Sequence, residues 1–180
     1  LASAAGLSEG TDGVDAAGDA AAFAVPPAPP QVEREPRVRF HGVTTDAMDS
    51  RVRVGVTLML DDAECTGESM GLDTAPARLR AAAAAALRAV DTTCVGRARF
   101  EVEHVGVVRA FERDYVVVTV LASSPYLGRQ PIPLVGAQPV EVDAESAAAL
   151  ATLKAVNRTL SLVLRLPDSA VPARGRPRQG

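Results

Sequence analysis

Tryptophan is absent from this 180-residue chain, and aromatic residues make up only 3% of it. Large aromatics supply much of the anchoring energy at protein interfaces, so few such anchors are on offer. The core has to be built from Val, Leu and Ala, and with 47% hydrophobic residues there is enough for a domain of ordinary size. Lysine is nearly missing as well: Lys154 stands alone among the 19 basic residues. Arginine in its place, with abundant Ala, Gly, Pro and Val, reads as GC-rich bacterial coding before it reads as phosphate binding. Two cysteines, Cys65 and Cys94, are too few for a disulfide framework and lack the paired spacing of a zinc site, so they are expected as reduced, packed thiols. No run of eighteen apolar residues occurs, and no basic stretch followed by an apolar one opens the chain. A cytoplasmic protein without membrane contact is the resulting expectation.

Charge is distributed unevenly. Residues 1–36 carry one arginine against six acids, residues 37–166 carry fifteen of each sign, and residues 167–180 carry three arginines against one aspartate. A nucleic-acid surface needs a net basic face to displace counterions, and a neutral body does not provide one. The first segment, with its "VPPAPP" stretch, is too polar and Pro-rich to offset its ordering entropy, so it reads as a disordered acidic tail. The last reads as a flexible basic tail, with Arg174, Arg176 and Arg178 spaced along it.

Between these tails the hydrophobic pattern takes on period two. "SRVRVGVTLML" (50–60) puts Val52, Val54, Val56, Leu58 and Leu60 on one face of a strand, after a first strand in "RVRFHGVTT" (37–45) and before a shorter one in "AECTGES". "RLRAAAAAALRAVDTT" then reads as a helix, with Asp73 or Thr74 as its N-cap and Pro76 in its first turn. The order repeats: strands in "RARFEVEHVGVV" (97–108), "DYVVVTVLA" (114–122) and "QPIPLVGAQPV", then a helix capped by Asp143. Aligning the halves sets Val56 on Val118, Leu58 on Val120, Gly67 near Gly128, and Leu87 on Leu153. The chain thus reads as an internal duplication of a strand-strand-strand-helix unit, with repeats at about 37–93 and 97–162. The expected fold is α+β: an antiparallel sheet of about six strands with both helices on one face. Leu79, Ala83, Ala86, Leu87 and Val90 form the inward stripe of the first helix; Ala149, Thr152, Leu153, Val156 and Leu160 form that of the second.

The motifs of established chemistry are missing: no Walker loop, no G-x-S-x-G, no H-E-x-x-H. No cofactor and no metal are therefore expected, and whether the protein is an enzyme stays open, with the balance against it. His41 and His104 fall at similar places in the two repeats, and Glu101 and Glu103 alternate onto one face of a strand. These groups define the alternative of a small enzyme using sheet-face Glu and His. The more suggestive stretch is "TGESMGLDTAPARLRA" (66–81), answered by "LVGAQPVEVDAESA" (134–147). Glycines followed by hydroxyl and carboxylate groups at a helix start would expose backbone N–H groups to a small anion. The candidate ligand-binding residues are Gly67, Ser69, Gly71, Asp73, Thr74, Gly136 and Asp143.

At these residues the sequence resembles the C-terminal regulatory and dimerisation domain of 2-isopropylmalate synthases. Those domains also repeat a strand-rich unit closed by an Ala-rich helix behind a G-x-G-x-G-P signature. Gly67 and Gly71 fall on outer glycines of that signature, whereas Ser69 and Leu72 replace its middle glycine and its proline. The chain also resembles small uncharacterised proteins of high-GC Gram-positive bacteria with a "V-x-V-x-L" half followed by an "A-x-L-x-A-V-N-R" half. Together these imply a non-catalytic regulatory or assembly domain, a homodimer, with a small anionic metabolite held at a glycine-bearing helix start. An RNA-binding module is the remaining alternative, because helices stacked on one face of a three-stranded sheet also bind double-stranded RNA.

Overall fold

The structure, a computed structural model, describes residues 38–94 and 96–165; the acidic segment 1–36 and the basic segment 167–180 lie outside the described residues. The elements follow the order β1 (Val38–Met48), β2 (Arg51–Leu60), β3 (Ala63–Leu72), α1 (Ala75–Cys94), β4 (Arg99–Ala110), β5 (Arg113–Ser123), β6 (Ile132–Pro139) and α2 (Ala144–Leu164). The fold is α+β and is built from a duplicated strand-strand-strand-helix unit.

The six strands form two antiparallel sheets of three, in the orders β1-β2-β3 and β4-β5-β6, where the pattern alone allowed one continuous sheet. The edges show why they do not join. Arg80 of α1 donates to the main-chain carbonyls of Val102 (3.2 Å) and Glu103 (3.3 Å) on β4, and Arg88 donates to the carbonyl of Glu68 on β3. Side chains thus take edge acceptors that another strand would need. On β6 the prolines Pro133 and Pro139 remove two donors.

Strand periodicity decides the core. Val52, Val54, Val56 and Leu58 on β2 are buried, as are Val116, Val118, Val120 and Ala122 on β5, and each set faces the helix of its own unit. Every stripe residue expected on the helices is buried except Leu153, which is half-buried. Helix α1 is buried further round than its stripe requires: Ala81, Ala82, Ala85 and Ala89 are buried too. It packs on β2 and β3, on α2, and on β4 of the second unit, so alanine is needed on several sides at once.

The helices run side by side in the same direction. Near their starts Arg78 of α1 meets Glu145 of α2 at 3.6 Å; past their ends Arg97 donates to the Leu164 carbonyl at 3.3 Å. In length α2 is sufficient to cross a membrane, with a mean hydropathy of 1.2, but half of that stretch is buried inside the fold.

Each helix lies directly on a glycine of its own third strand. A Cβ placed on Gly136 of β6 would collide with the Ala151 carbonyl oxygen and stand 2.7 Å from the Ala155 amide nitrogen. A Cβ on Gly67 of β3 would meet the corresponding Ala85 oxygen and Ala89 nitrogen. Gly67 therefore corresponds to Gly136 and not to Gly128, which sits in the loop before β6 at φ 109° with open space around it. Replacing Gly136 by Ala should lower stability by about 3 kcal/mol, the scale of severe overpacking. The same change at Gly106, where nothing lies within 4 Å, should cost far less; chemical denaturation of the two variants measures the difference.

Candidate functional site

The residues singled out in the sequence fall into two groups. Gly67, Ser69 and Gly71 belong to β3, which runs on to Leu72, so they form part of a strand and not a loop before the helix. Gly67 and Gly136 are covered by helix backbone, Ser69 is buried on the face toward α1, and a Cβ on Gly71 would lie 3.1 Å from the Ala77 carbonyl oxygen. At the two glycines the helix fills the space that a ligand would need.

The second group does converge. Asp73 and Thr74 form the turn into α1, where the Thr74 carbonyl accepts the first helical bond from the Arg78 amide at 2.9 Å. Asp143 caps α2: its extended backbone lets the carboxylate accept from the Ser146 amide at 2.5 Å, which satisfies one of the free donors at a helix start. Arg78 bridges the two starts. Its Nε and one Nη reach the Asp73 carboxylate at 2.5 Å, and its other Nη lies 3.6 Å from Glu145. The hydrogen bond that Arg78 donates to Asp73, then the charge of Asp73, pushes the guanidinium above its ordinary range; desolvation opposes this and Glu145 adds a smaller push. The positive ends of two parallel helices thus already face Asp73, Asp143 and Glu145. A small anion arriving there would have to compete with three carboxylates of the protein itself.

The histidines and glutamates do not form a cluster. β-Bulges interrupt both first strands, between Phe40 and Gly42 and between Val102 and His104, so His41 corresponds to Glu103 and not to His104. His41 and His104 are exposed on different sheets. Glu101 pairs with Leu121 on the outward face, while Glu103 sits in the bulge. Strict alternation across "FEVEH" missed the extra residue. Among the described residues no three His, Cys, Asp or Glu side chains are placed to hold a metal. Cys65 is half-buried, Cys94 is buried, and neither is in a disulfide.

What sequence reading did not single out is the difference between the outward faces of the two sheets. On the first, the central strand presents Arg51, Arg53, Gly55, Thr57 and Met59; Asp46 lies beside Arg53, and Glu68 and Glu64 lie across from Gly55 and Met59. On the second, the same strand presents Arg113, Tyr115, Val117, Thr119 and Leu121. Its neighbours are Val108 and Pro139 beside Tyr115, Gly106 and Ala137 beside Val117, His104 and Val135 beside Thr119, and Glu101 and Pro133 beside Leu121, with Arg99 beside Ser123 at the end of the face. One outward face is a solvated mixture of charges, and the other carries apolar side chains on all three strands, with Arg113 at one end and His104, Glu101 and Arg99 along β4 toward the other. Val108 is 51% exposed and Val135 is 65% exposed. The hairpin tip continues the contrast: Asp49 takes a positive φ in the first unit, and Phe111 takes one in the second while 90% exposed.

Compared with protein-family models and with curated proteins, the chain gives no match. The assignment of function therefore rests on the geometry of the molecule.

At the far end of α1, burial pushes the Asp91 carboxyl above its usual range, and the charge of Arg99 opposes the shift. Asp91 also stands in the last turn of α1, where the helix dipole disfavours an anion. A carboxyl raised on folding favours the native state when protonated, so its ionisation costs stability as pH rises from the unfolded pKa through the folded one. Asp91→Asn should raise the melting temperature slightly at pH 7 and leave it unchanged near pH 3, which paired thermal melts would show. Arg78→Ala should lower the melting temperature, and added salt should shrink the loss because the bridge is partly exposed.

Proposed function

We propose that this protein is a non-catalytic assembly domain that forms a homodimer. The observation that carries the reading is the apolar stretch of Val108, Tyr115, Val117, Ala137, Val135 and Leu121 on the outward face of the second sheet, set against the charged outward face of the first. Each unit packs its own helix on its inward face, so the fold has no need of Val117, Val135 and Leu121 on the outward face. Contiguous apolar patches of this kind mark places where proteins meet. The neutral body adds support, since nothing in its balance of charge would keep copies apart.

Sedimentation equilibrium across a micromolar concentration range tests the reading. A species of twice 18.7 kDa that dissociates on dilution is expected; a monomer throughout would count against assembly by self-association.

A further inference from the structure

The two repeats are internal controls for one another, and they separate what the fold requires from what was added. Positions on the inward faces stayed apolar in both: Val54, Val56 and Leu58 correspond to Val116, Val118 and Val120. On the outward face the second unit changed character. Asp46 corresponds to Val108, Arg53 to Tyr115, Gly55 to Val117 and Thr66 to Val135. At the hairpin tip Phe111 holds the left-handed conformation that Asp49 holds in the first unit. Asp adopts that conformation readily, whereas for a bulky side chain it is an outlier, and a bulky apolar side chain left in solvent has no folding reason to be there.

Resting on the assembly reading above, we propose that the occupant of this face is a second copy of the chain, stacked face to face with its strands antiparallel across a two-fold axis at Val117. Three features favour that arrangement. Val117 is the middle residue of the middle strand, and its cross-strand neighbours Gly106 and Ala137 are the smallest on the face, so the sheets approach most closely there. The face has the size a dimer needs: three strands about 4.8 Å apart and some ten residues long cover roughly 500 Å² per copy and roughly 1,000 Å² together. That area is at the low end for a specific interface, in keeping with a dimer that dissociates in the micromolar range.

The third feature is charge. Arg113 lies at one end of the face on β5, and Glu101 lies toward the other end, beside Leu121, with Arg99 one row beyond it beside Ser123. Both are exposed, and Glu101 has no ion pair among the described residues. An antiparallel two-fold at Val117 lays the Arg113 row of each copy on the Leu121 row of the other. Arg113 then stands one strand spacing, about 4.8 Å, to the side of the second copy's Glu101 and one sheet spacing, about 10 Å, across from it, a gap that the Arg and Glu side chains span together. The pair forms twice, once at each end. Phe111, one turn beyond Arg113, covers the second copy's Ser123 row.

Charge exchange in the full chain tests this arrangement by sedimentation equilibrium. Arg113→Glu and Glu101→Arg should each weaken the dimer about tenfold or more, because each sets like charges together at both ends. The double variant should regain the original dissociation constant, and mixing the two single variants should produce a heterodimer, since every pair in it is again of opposite sign. Thermal melts of the monomers check that both variants fold. Phe111→Asn supplies a second readout: a better fit to the left-handed turn should raise the melting temperature while the dimer weakens. A dimer insensitive to the single changes, or not restored by the double one, would overturn the two-fold at Val117 and leave the assembly reading standing. A wild-type chain that stays monomeric would overturn both.

Discussion

Everything else in this molecule depends on the contact between a helix backbone and a strand backbone at Gly67 and again at Gly136. With no side chain on the glycine, the helix settles onto the sheet until its carbonyl oxygens and amide nitrogens touch the strand. Where it crosses the glycine the helix carries Ala, at 85 and 89 in α1 and at 151 and 155 in α2, and the sheet meets it with stiff β-branched Val, whose fixed rotamers fill a thin layer with small entropic loss. The buried aromatic Phe100 lies on β4, away from these crossings; a Phe or Trp at a crossing would lift the helix off the glycine.

Once each helix lies that low, its flanks are free to touch other elements. α1 uses its own flanks fully, against α2 and against β4, and its Arg80 and Arg88 bind edge carbonyls of β4 and β3. The result is two separate sheets joined through helices in place of one sheet joined through strand pairing. The helix starts end up side by side, and Arg78 ties them together among carboxylates. The same duplication leaves two outward sheet faces free of the packing constraint, and these are where the repeats have diverged.

Much of the fold was legible in the residues themselves. Alternation in "RVRVGVTLML" and "DYVVVTVLA" marks the central strands, and Asp143 before an alanine run marks a capped helix, because period and capping are local properties. Other features were not legible for equally physical reasons. A glycine under a helix and a glycine in a turn are written identically, so Gly67 and Gly71 read as a loop before the helix although β3 continues through them. A bulge is one extra residue without a signature of its own, and it shifts His41 and Glu103 out of the places that strict alternation assigns. Which long side chain bridges which elements depends on docking, so the roles of Arg78, Arg80 and Arg88 could not be foreseen.

By itself the sequence determined the local chemistry: which residues alternate, where helices start, that one unit was written twice, and that aromatics and lysines were nearly excluded. These are matters of nearest neighbours along the chain. Tertiary structure alone decided that six strands divide into two sheets, that Gly67 answers Gly136, and that Val108, Val117 and Val135 lie on a shared outward surface. Such facts depend on which faces meet across distances of many residues, and the energy that settles them comes from packing, for which sequence spacing offers no measure.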